Sequence, residues 1–217
     1  MSAADHGREA LQADAAALGL SLAPEAADRL LAYLQLLAKW NATYNLTAVR
    51  DPVLMRTQHL ADCLAVVPSL RRRSAAGRPA RILDVGSGGG LPGVVLASVD
   101  PAWDVTCVDA VGKKAAFVRQ VAAELTLPNL HAVHARVEAL APQSFGVVTA
   151  RAFATLVDFT RLTRPLLAPD GVWMAMKGQR PEAEIAALGQ DIDVFHVEPL
   201  RVPGLDAERC LVWMRVR

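Results

Sequence analysis

Cysteine is scarce in this chain of 217 residues: Cys63, Cys107 and Cys210 are odd in number and far apart. No C-x-x-C pair occurs, so neither a zinc knuckle nor a disulfide framework is indicated, and a metal-free cytoplasmic protein is the expectation. Cys63 and Cys107 lie in apolar stretches and are expected as buried thiols. No apolar run approaches a membrane span, because charges and prolines interrupt each one. The N-terminus lacks a basic region followed by an apolar core, so no secretory signal is expected. An excess of one charge is also missing. The net charge of +1 says little about an acidic partner, which leaves local clustering as the informative signal. No internal repeat or low-complexity segment stands out beyond alanine richness.

What is present is a chain 53% hydrophobic and 21% charged, which should fold into one sizeable domain with an N-terminal extension. Residues 8–20 and 24–41 have helical spacing, with Pro24 in the first turn of the second helix and Ser21 as its nearby cap. Leu30, Leu34, Leu37 and Trp40 share one face. The stretch from Asn41 to Thr47 breaks the pattern, and Asp51-Pro52 restarts a helix towards Pro68. Residues 1–70 are therefore expected as an N-terminal helical lid, 71–80 as a basic flexible connector, and 81–217 as the main domain. In that domain strand and helix periods alternate, as in a parallel sheet. Strands are expected near 81–85, 104–109, 130–135, 145–150, 171–176, 193–198 and 210–216. Helices are expected near 92–99, 112–125, 154–167 and 181–188. The last two strands have only a short Pro203-Gly204 loop between them, which allows an antiparallel hairpin at the end of the sheet.

The most specific local pattern is Arg81-Ile82-Leu83-Asp84-Val85-Gly86-Ser87-Gly88-Gly89-Gly90-Leu91-Pro92-Gly93. It reads as a buried strand, an acid and a glycine-rich turn opening a helix, the layout of a nucleotide-cofactor loop. Gly88, Gly90 and Gly93 fit the dinucleotide spacing G-x-G-x-x-G, but Asp84 then sits where a dinucleotide strand is apolar. The pattern D-x-G-x-G-x-G, from Asp84 through Gly86, Gly88 and Gly90, suits S-adenosylmethionine better. That cofactor has no pyrophosphate to place on a helix N-terminus. It has a sulfonium cation and an amino-acid end, which a carboxylate and open backbone groups can hold.

Asp109 ends the next expected strand, one strand–helix–strand unit after Asp84. Taken alone, an acid there is more often a helix cap, here before Gly112-Lys113-Lys114; paired with the glycine loop at this distance, it reads as the acceptor of hydrogen bonds from ribose hydroxyls. Arg151 closes the fourth strand on the ligand side of such a sheet. It could hold the cofactor carboxylate, a phosphate or guanine O6, or it could pair with Asp84 or a helix-end carbonyl. Phe153 is placed to stack on a target base or to pack in the core. At Val137-Glu138 an amide and an apolar side chain could frame adenine, although Glu138 also reads as a solvated loop acid. Arg71, Arg72, Arg73, Arg78 and Arg81 cluster with no acid among them, and Lys113, Lys114 and Arg119 form a second group. Such groups bind RNA phosphates, although charge runs are commonly just solvated surface. His59 is expected as a structural histidine, and Trp40 and Tyr44 as core.

A wider set of residues resembles one family. The blocks are Trp40-Asn41-Ala42-Thr43-Tyr44-Asn45-Leu46-Thr47, His59-Leu60-Ala61-Asp62, the glycine loop, Gly112-Lys113-Lys114, Phe117-Val118-Arg119-Gln120-Val121, Arg136-Val137-Glu138, Arg151-Ala152-Phe153-Ala154, Lys177-Gly178-Gln179 and Val202-Pro203-Gly204-Leu205-Asp206-Ala207-Glu208-Arg209. Together they resemble bacterial ribosomal RNA small subunit methyltransferase G, also called glucose-inhibited division protein B. The resemblance spans all but about the first twenty residues. It implies a class I, Rossmann-like methyltransferase fold and transfer of a methyl group from S-adenosylmethionine to N7 of a specific guanosine in 16S ribosomal RNA. It also implies cofactor contacts at Gly86, Leu91, Val137, Glu138 and Arg151, with Asp109 at the ribose. The substrate would be 16S RNA or the small ribosomal subunit, and the protein a monomer. Members often carry Gly-Pro-Gly where this chain has Gly88-Gly89-Gly90, so a looser loop is expected here.

The chemistry agrees with what the chain lacks. Guanine N7 has a lone pair and no proton, so it needs no general base. Accordingly, no Asn/Asp-Pro-Pro-aromatic motif and no Pro-Cys or Thr-Cys nucleophile follows the fourth strand. Other readings are a methyltransferase for another RNA base or small molecule, a cofactor-binding regulator without activity, and a nicotinamide oxidoreductase. Asp84 and the absence of a Tyr-x-x-x-Lys pair disfavour the last.

Overall fold

The computed structural model describes residues 3–74 and 81–217. The N-terminal part holds α1 (Ala3–Ala17), α2 (Pro24–Tyr44), α3 (Pro52–Met55), a π-helical stretch (Arg56–Ala61), α4 (Asp62–Leu64) and α5 (Val67–Ser74). The main part alternates β1 (Arg81–Val85), α6 (Gly93–Val99), β2 (Asp104–Asp109), α7 (Gly112–Glu124), β3 (Leu130–His134), β4 (Phe145–Arg151), α8 (Leu156–Thr163), β5 (Leu167–Lys177), α9 (Glu182–Ala186), β6 (Ile192–Leu200) and β7 (Arg209–Val216). A single 3-10 turn, Val137–Ala139, follows β3.

The seven strands form one sheet in the order β3-β2-β1-β4-β5-β7-β6. Strands β1 to β5 pair in parallel, and β7 inserts antiparallel between β5 and β6. Alternation along each strand divides the core into two layers. Ile82, Met174, Met176, Leu211 and Trp213 face α1, α2, α6 and α7, whereas Leu83, Trp173, Ala175, Val212 and Met214 face α8. The strand order reverses between β1 and β4, and that switch point opens a crevice at the carboxyl ends of the strands.

Every expected strand is present and the hairpin is antiparallel. The N-terminal part departs more. The N-cap of α2 is Ala23 and makes no side-chain cap bond, so Ser21 is not its cap; Pro24 alone starts the helix. The helix also continues beyond Asn41 to Tyr44 and ends on Asn45 in a left-handed conformation (φ 51°). The helix expected from Asp51 to Pro68 is instead a relay of short segments. Arg71, Arg72 and Arg73 belong to the last turn of α5 rather than to a connector. The last of them stacks on the sheet: the Arg73 guanidinium lies 4.5 Å from the Trp213 ring centroid and 4.8 Å from that of Phe195. The rest of the expected connector, including Arg78, lies outside the described residues. No helix among the described residues is long and apolar enough to cross a membrane.

Candidate functional site

The glycine turn between β1 and α6 is built by close approach. Gly86 has φ +63°, and a Cβ there would sit 2.6 Å from the Phe153 ring. The turn is therefore free of side chains where it faces the aromatic. Its far side is fixed by α2: the buried Tyr33 hydroxyl donates to the Gly89 carbonyl at 2.8 Å. The looseness expected from glycine at this position is thus countered by an anchor from the N-terminal helices.

Asp84 and Leu91 do not line the crevice. Asp84 is fully buried, and its Oδ2 accepts the Gly93 amide at 2.8 Å at the start of α6. Burial pushes its carboxyl up to about 7, against the pull of that amide. Leu91 packs into the core, and its amide donates to the Ser87 carbonyl at 3.0 Å. Both residues support the turn from beneath.

Asp109 is held at the tip of β2 by the turn itself. Its Oδ2 accepts the Gly88 amide at 3.0 Å and its Oδ1 the Val111 amide at 2.8 Å. It does not cap α7, whose N-cap is Val111. Lys114 stands 3.9 Å from the carboxylate, while Lys113 and Arg119 are exposed.

Gly86, Asp109, Val137, Glu138 and Phe153 line one cleft of about 210 Å³. Val85, Val108, Ala135 and Leu162 complete its apolar walls. The Val137–Ala139 turn presents first amides that have no partner within the turn. The Asp109 carboxylate held by the turn, the apolar walls and the backbone donors suit a nucleoside, with its flat apolar base and its diol. Phe153 belongs to both readings weighed for it: it lines the cleft and also packs edge-on to the core Phe159, centroids 6.4 Å apart.

Arg151, to which the resemblance assigns a cofactor contact, does not line this cleft. Ala152 is left-handed (φ 55°), and this strained residue turns the chain so that Arg151 and Phe153 serve separate cavities. The second cavity, about 420 Å³, is lined by Asp62, Arg151, Met176, Lys177 and Arg209 among others. Arg151 Nη1 donates to the Gln58 carbonyl at 3.0 Å and to Asp62 Oδ2 at 3.2 Å. Its acidic partner is thus Asp62, not Asp84. Burial opposes the charge on Arg151, and its surroundings, Asp62 included, more than offset this.

Asp62 follows the π-helical stretch, a feature often found at functional sites. The Asn41–Thr47 block supports it. Asn41 Oδ1 accepts the Thr47 amide at 2.9 Å, and Thr47 Oγ1 lies 2.9 Å from His59 Nε2. His59 is buried, as expected of a structural histidine, and burial lowers its pKa. Trp40 packs on Phe117, centroids 5.4 Å apart, whereas Tyr44 is exposed rather than core. Arg71 lies 3.7 Å from Asp100 and Arg72 3.2 Å from Glu198, so these two and the stacked Arg73 all have protein partners. The contribution of Asp62 and Arg209 to the second cavity had no signal in the sequence beyond their place in family blocks.

The comparisons with known proteins agree with this architecture. The glycopeptide N-methyltransferase MtfA, solved with S-adenosylmethionine, superposes with a TM-score of 0.59 at 14% identity over 73% of this chain and 95% of that one. An S-adenosylmethionine-dependent methyltransferase from Aquifex aeolicus gives 0.55 at 16% identity over 75% and 93%. These likenesses show the fold. Sequence similarity is much closer to ribosomal RNA small subunit methyltransferase G of Leptothrix cholodnii, 63% identical over 210 residues, 97% of this chain and 96% of that protein. The namesake from an Acidovorax species is 60% identical over 213 residues, 95% of this chain and 94% of that protein. The family model for rRNA small subunit methyltransferase G, GidB, matches residues 26–212, and the chain belongs to that family.

Proposed function

We propose that this protein transfers a methyl group from S-adenosylmethionine to N7 of a specific guanosine in 16S ribosomal RNA. The observation that carries the proposal is the pairing of a nucleoside-sized cleft with a cationic cavity, separated by Ala152, in a chain of this family. S-adenosylmethionine, when bound, supplies a methyl group made electrophilic by its sulfonium.

The residues divide the work. Asp109 accepts hydrogen bonds from the ribose hydroxyls, and Gly86 and Gly88 let the backbone come close to the sulfonium end. Val137 packs on the adenine while the amides of its turn, including that of Glu138, meet the ring edge. Phe153 closes the cleft over the turn and offers a face for the target base. Asp84 and Leu91 act indirectly, by holding the turn in shape. Arg151 faces the incoming RNA, and Lys113, Lys114 and Arg119 attract its phosphates, with Arg71, Arg72 and Arg73 as a second basic group on α5.

No proton has to leave N7, so the reaction needs no base. His59, the one buried histidine among the described residues, is engaged with Thr47. Catalysis is therefore positioning: N7, methyl carbon and sulfur are brought into line and water is excluded. Incubating the protein with labelled S-adenosylmethionine and small-subunit RNA from cells lacking it tests the reading. The expected product is one 7-methylguanosine in 16S RNA. Label on another base or on a small molecule would overturn the assigned target.

A further inference from the structure

We propose that the cavity beyond the end of β4 is the phosphate subsite for the target nucleotide, and that Asp62 is the positioning residue that sets its two guanidiniums. The inference rests on the RNA reading above.

Both oxygens of the Asp62 carboxylate are committed, to Arg151 Nη1 at 3.2 Å and to Arg209 Nε at 2.9 Å. The side chain is only 3% exposed. Arg151 spends the same Nη1 on Gln58, and Arg209 spends Nη1 on the Glu208 carbonyl at 2.8 Å. Among the described residues no hydrogen bond occupies Nη2 of either arginine, and both side chains remain about a quarter exposed, at 26% and 28%. Lys177 lines the cavity too, but its ammonium contacts both Glu184 oxygens, at 3.0 and 2.9 Å. Among the residues that line the cavity, with Lys177 so paired, one carboxylate, Asp62, stands against two guanidiniums.

A part-buried guanidinium without a full counter-charge is costly unless an anion completes it. The planar fork of arginine matches phosphate oxygens better than any other side chain does. The cavity of about 420 Å³ lies within the range of small-ligand sites, roughly 300–1,000 Å³. Its position fits a nucleotide. Arg151 lines this cavity and Phe153 lines the cofactor cleft, with only Ala152 between them. A phosphate held by Arg151 and Arg209 therefore leaves its base within reach of the cleft. Asp62 sits on α4 of the N-terminal helices, and the residues it aligns end β4 and start β7. The lid thus sets the geometry of arginines on two separate strands.

The test compares Arg209→Ala, Arg209→Lys and Asp62→Asn with the unmodified full chain. Three quantities are read: affinity for a 16S RNA fragment over a range of salt, affinity for S-adenosylmethionine, and kcat and KM for methylation. Arg209→Ala should raise KM for RNA by about 10-fold and reduce the salt slope by roughly 0.7–0.9, the loss of one phosphate contact. Cofactor affinity should stay within about twofold. Arg209→Lys should keep the salt slope yet bind RNA several-fold more weakly, because charge remains and the fork is lost. Asp62→Asn should weaken RNA binding with an unchanged slope, since both arginines stay charged but lose their alignment. A lower Tm for Arg209→Ala with wild-type salt slope and KM would make the network purely structural and overturn the subsite. If Arg209→Ala does not fold, wild-type RNA affinity in Arg209→Lys overturns it instead. Failure of the unmodified protein to methylate any ribosomal RNA would overturn the RNA reading itself, and the subsite with it.

Discussion

Asp109 and Asp84 show how two carboxylates a strand–helix–strand unit apart acquire different work. Asp109 lines the cleft, where two amides order its carboxylate; on the proposed reading this pre-sets it to receive a diol. Asp109→Ala should weaken S-adenosylmethionine binding by about 1–3 kcal/mol, the cost of lost charged hydrogen bonds, read by calorimetric titration; unchanged affinity would remove Asp109 from the ribose. Asp84 is buried beneath the turn, and its pKa of about 7 lies above the ordinary 3.8. The folded protein therefore binds a proton that the unfolded chain releases between these values. Stability from this group is fully present below about pH 4 and is lost as pH rises through about 7. Asp84→Asn keeps an acceptor for the Gly93 amide and removes that titration. Relative to wild type, it should gain stability on the order of 1–3 kcal/mol between pH 5 and pH 8, measured by denaturant unfolding at both pH values. Asp109 was legible as a strand-end acid after a glycine loop. The burial of Asp84 was not, because the sequence does not say which way a strand residue points at the start of a turn.

The secondary-structure elements were legible in proportion to how local their causes are. The strands follow from apolar alternation bounded by turn residues, so all seven were placed from the sequence. The helices after β1 and β2 follow from periodicity. The relay from Pro52 to Ser74 does not. A π-helical stretch carries no residue signature, and Arg73 in the last turn of α5 stacks on Trp213 and Phe195, which come more than a hundred residues later. The ion pair between Asp62 and Arg209 spans 147 positions and is invisible to any local pattern. Alpha-helix α8, which follows the Arg151–Phe153 turn, has a cap of purely local origin. Thr155 Oγ1 accepts the Asp158 amide at 3.1 Å. Thr155→Ala should cost about 1 kcal/mol and lower Tm by roughly 2–4 °C, seen in a thermal melt. No change would mean that α8 is held by its buried face alone.

At the scale of the whole molecule, the fold brings a nucleoside-sized cleft, a cationic cavity and an exposed basic edge to one end of the sheet. The net charge of +1 conceals this arrangement, because surface acids elsewhere balance it. RNA affinity should therefore depend on few positions. Replacing Lys113 and Lys114 by Gln should lower the salt slope of RNA binding by roughly one to two while cofactor affinity holds. Lys113 should account for more of the change, because Lys114 already faces Asp109. A slope equal to that of the unmodified protein would place the RNA elsewhere. The family and the target atom were legible through the Trp40–Thr47 and Arg151–Ala154 blocks; composition and periodicity reached only as far as a cofactor-binding sheet. The central claim is the transfer of a methyl group to one guanine N7. The most direct measurement is mass mapping of 16S RNA from cells lacking this protein, after incubation with the purified chain and labelled S-adenosylmethionine. One new 7-methylguanosine is the predicted result. Bound cofactor without transfer to any form of the RNA would contradict the account and leave a cofactor-binding protein without this activity.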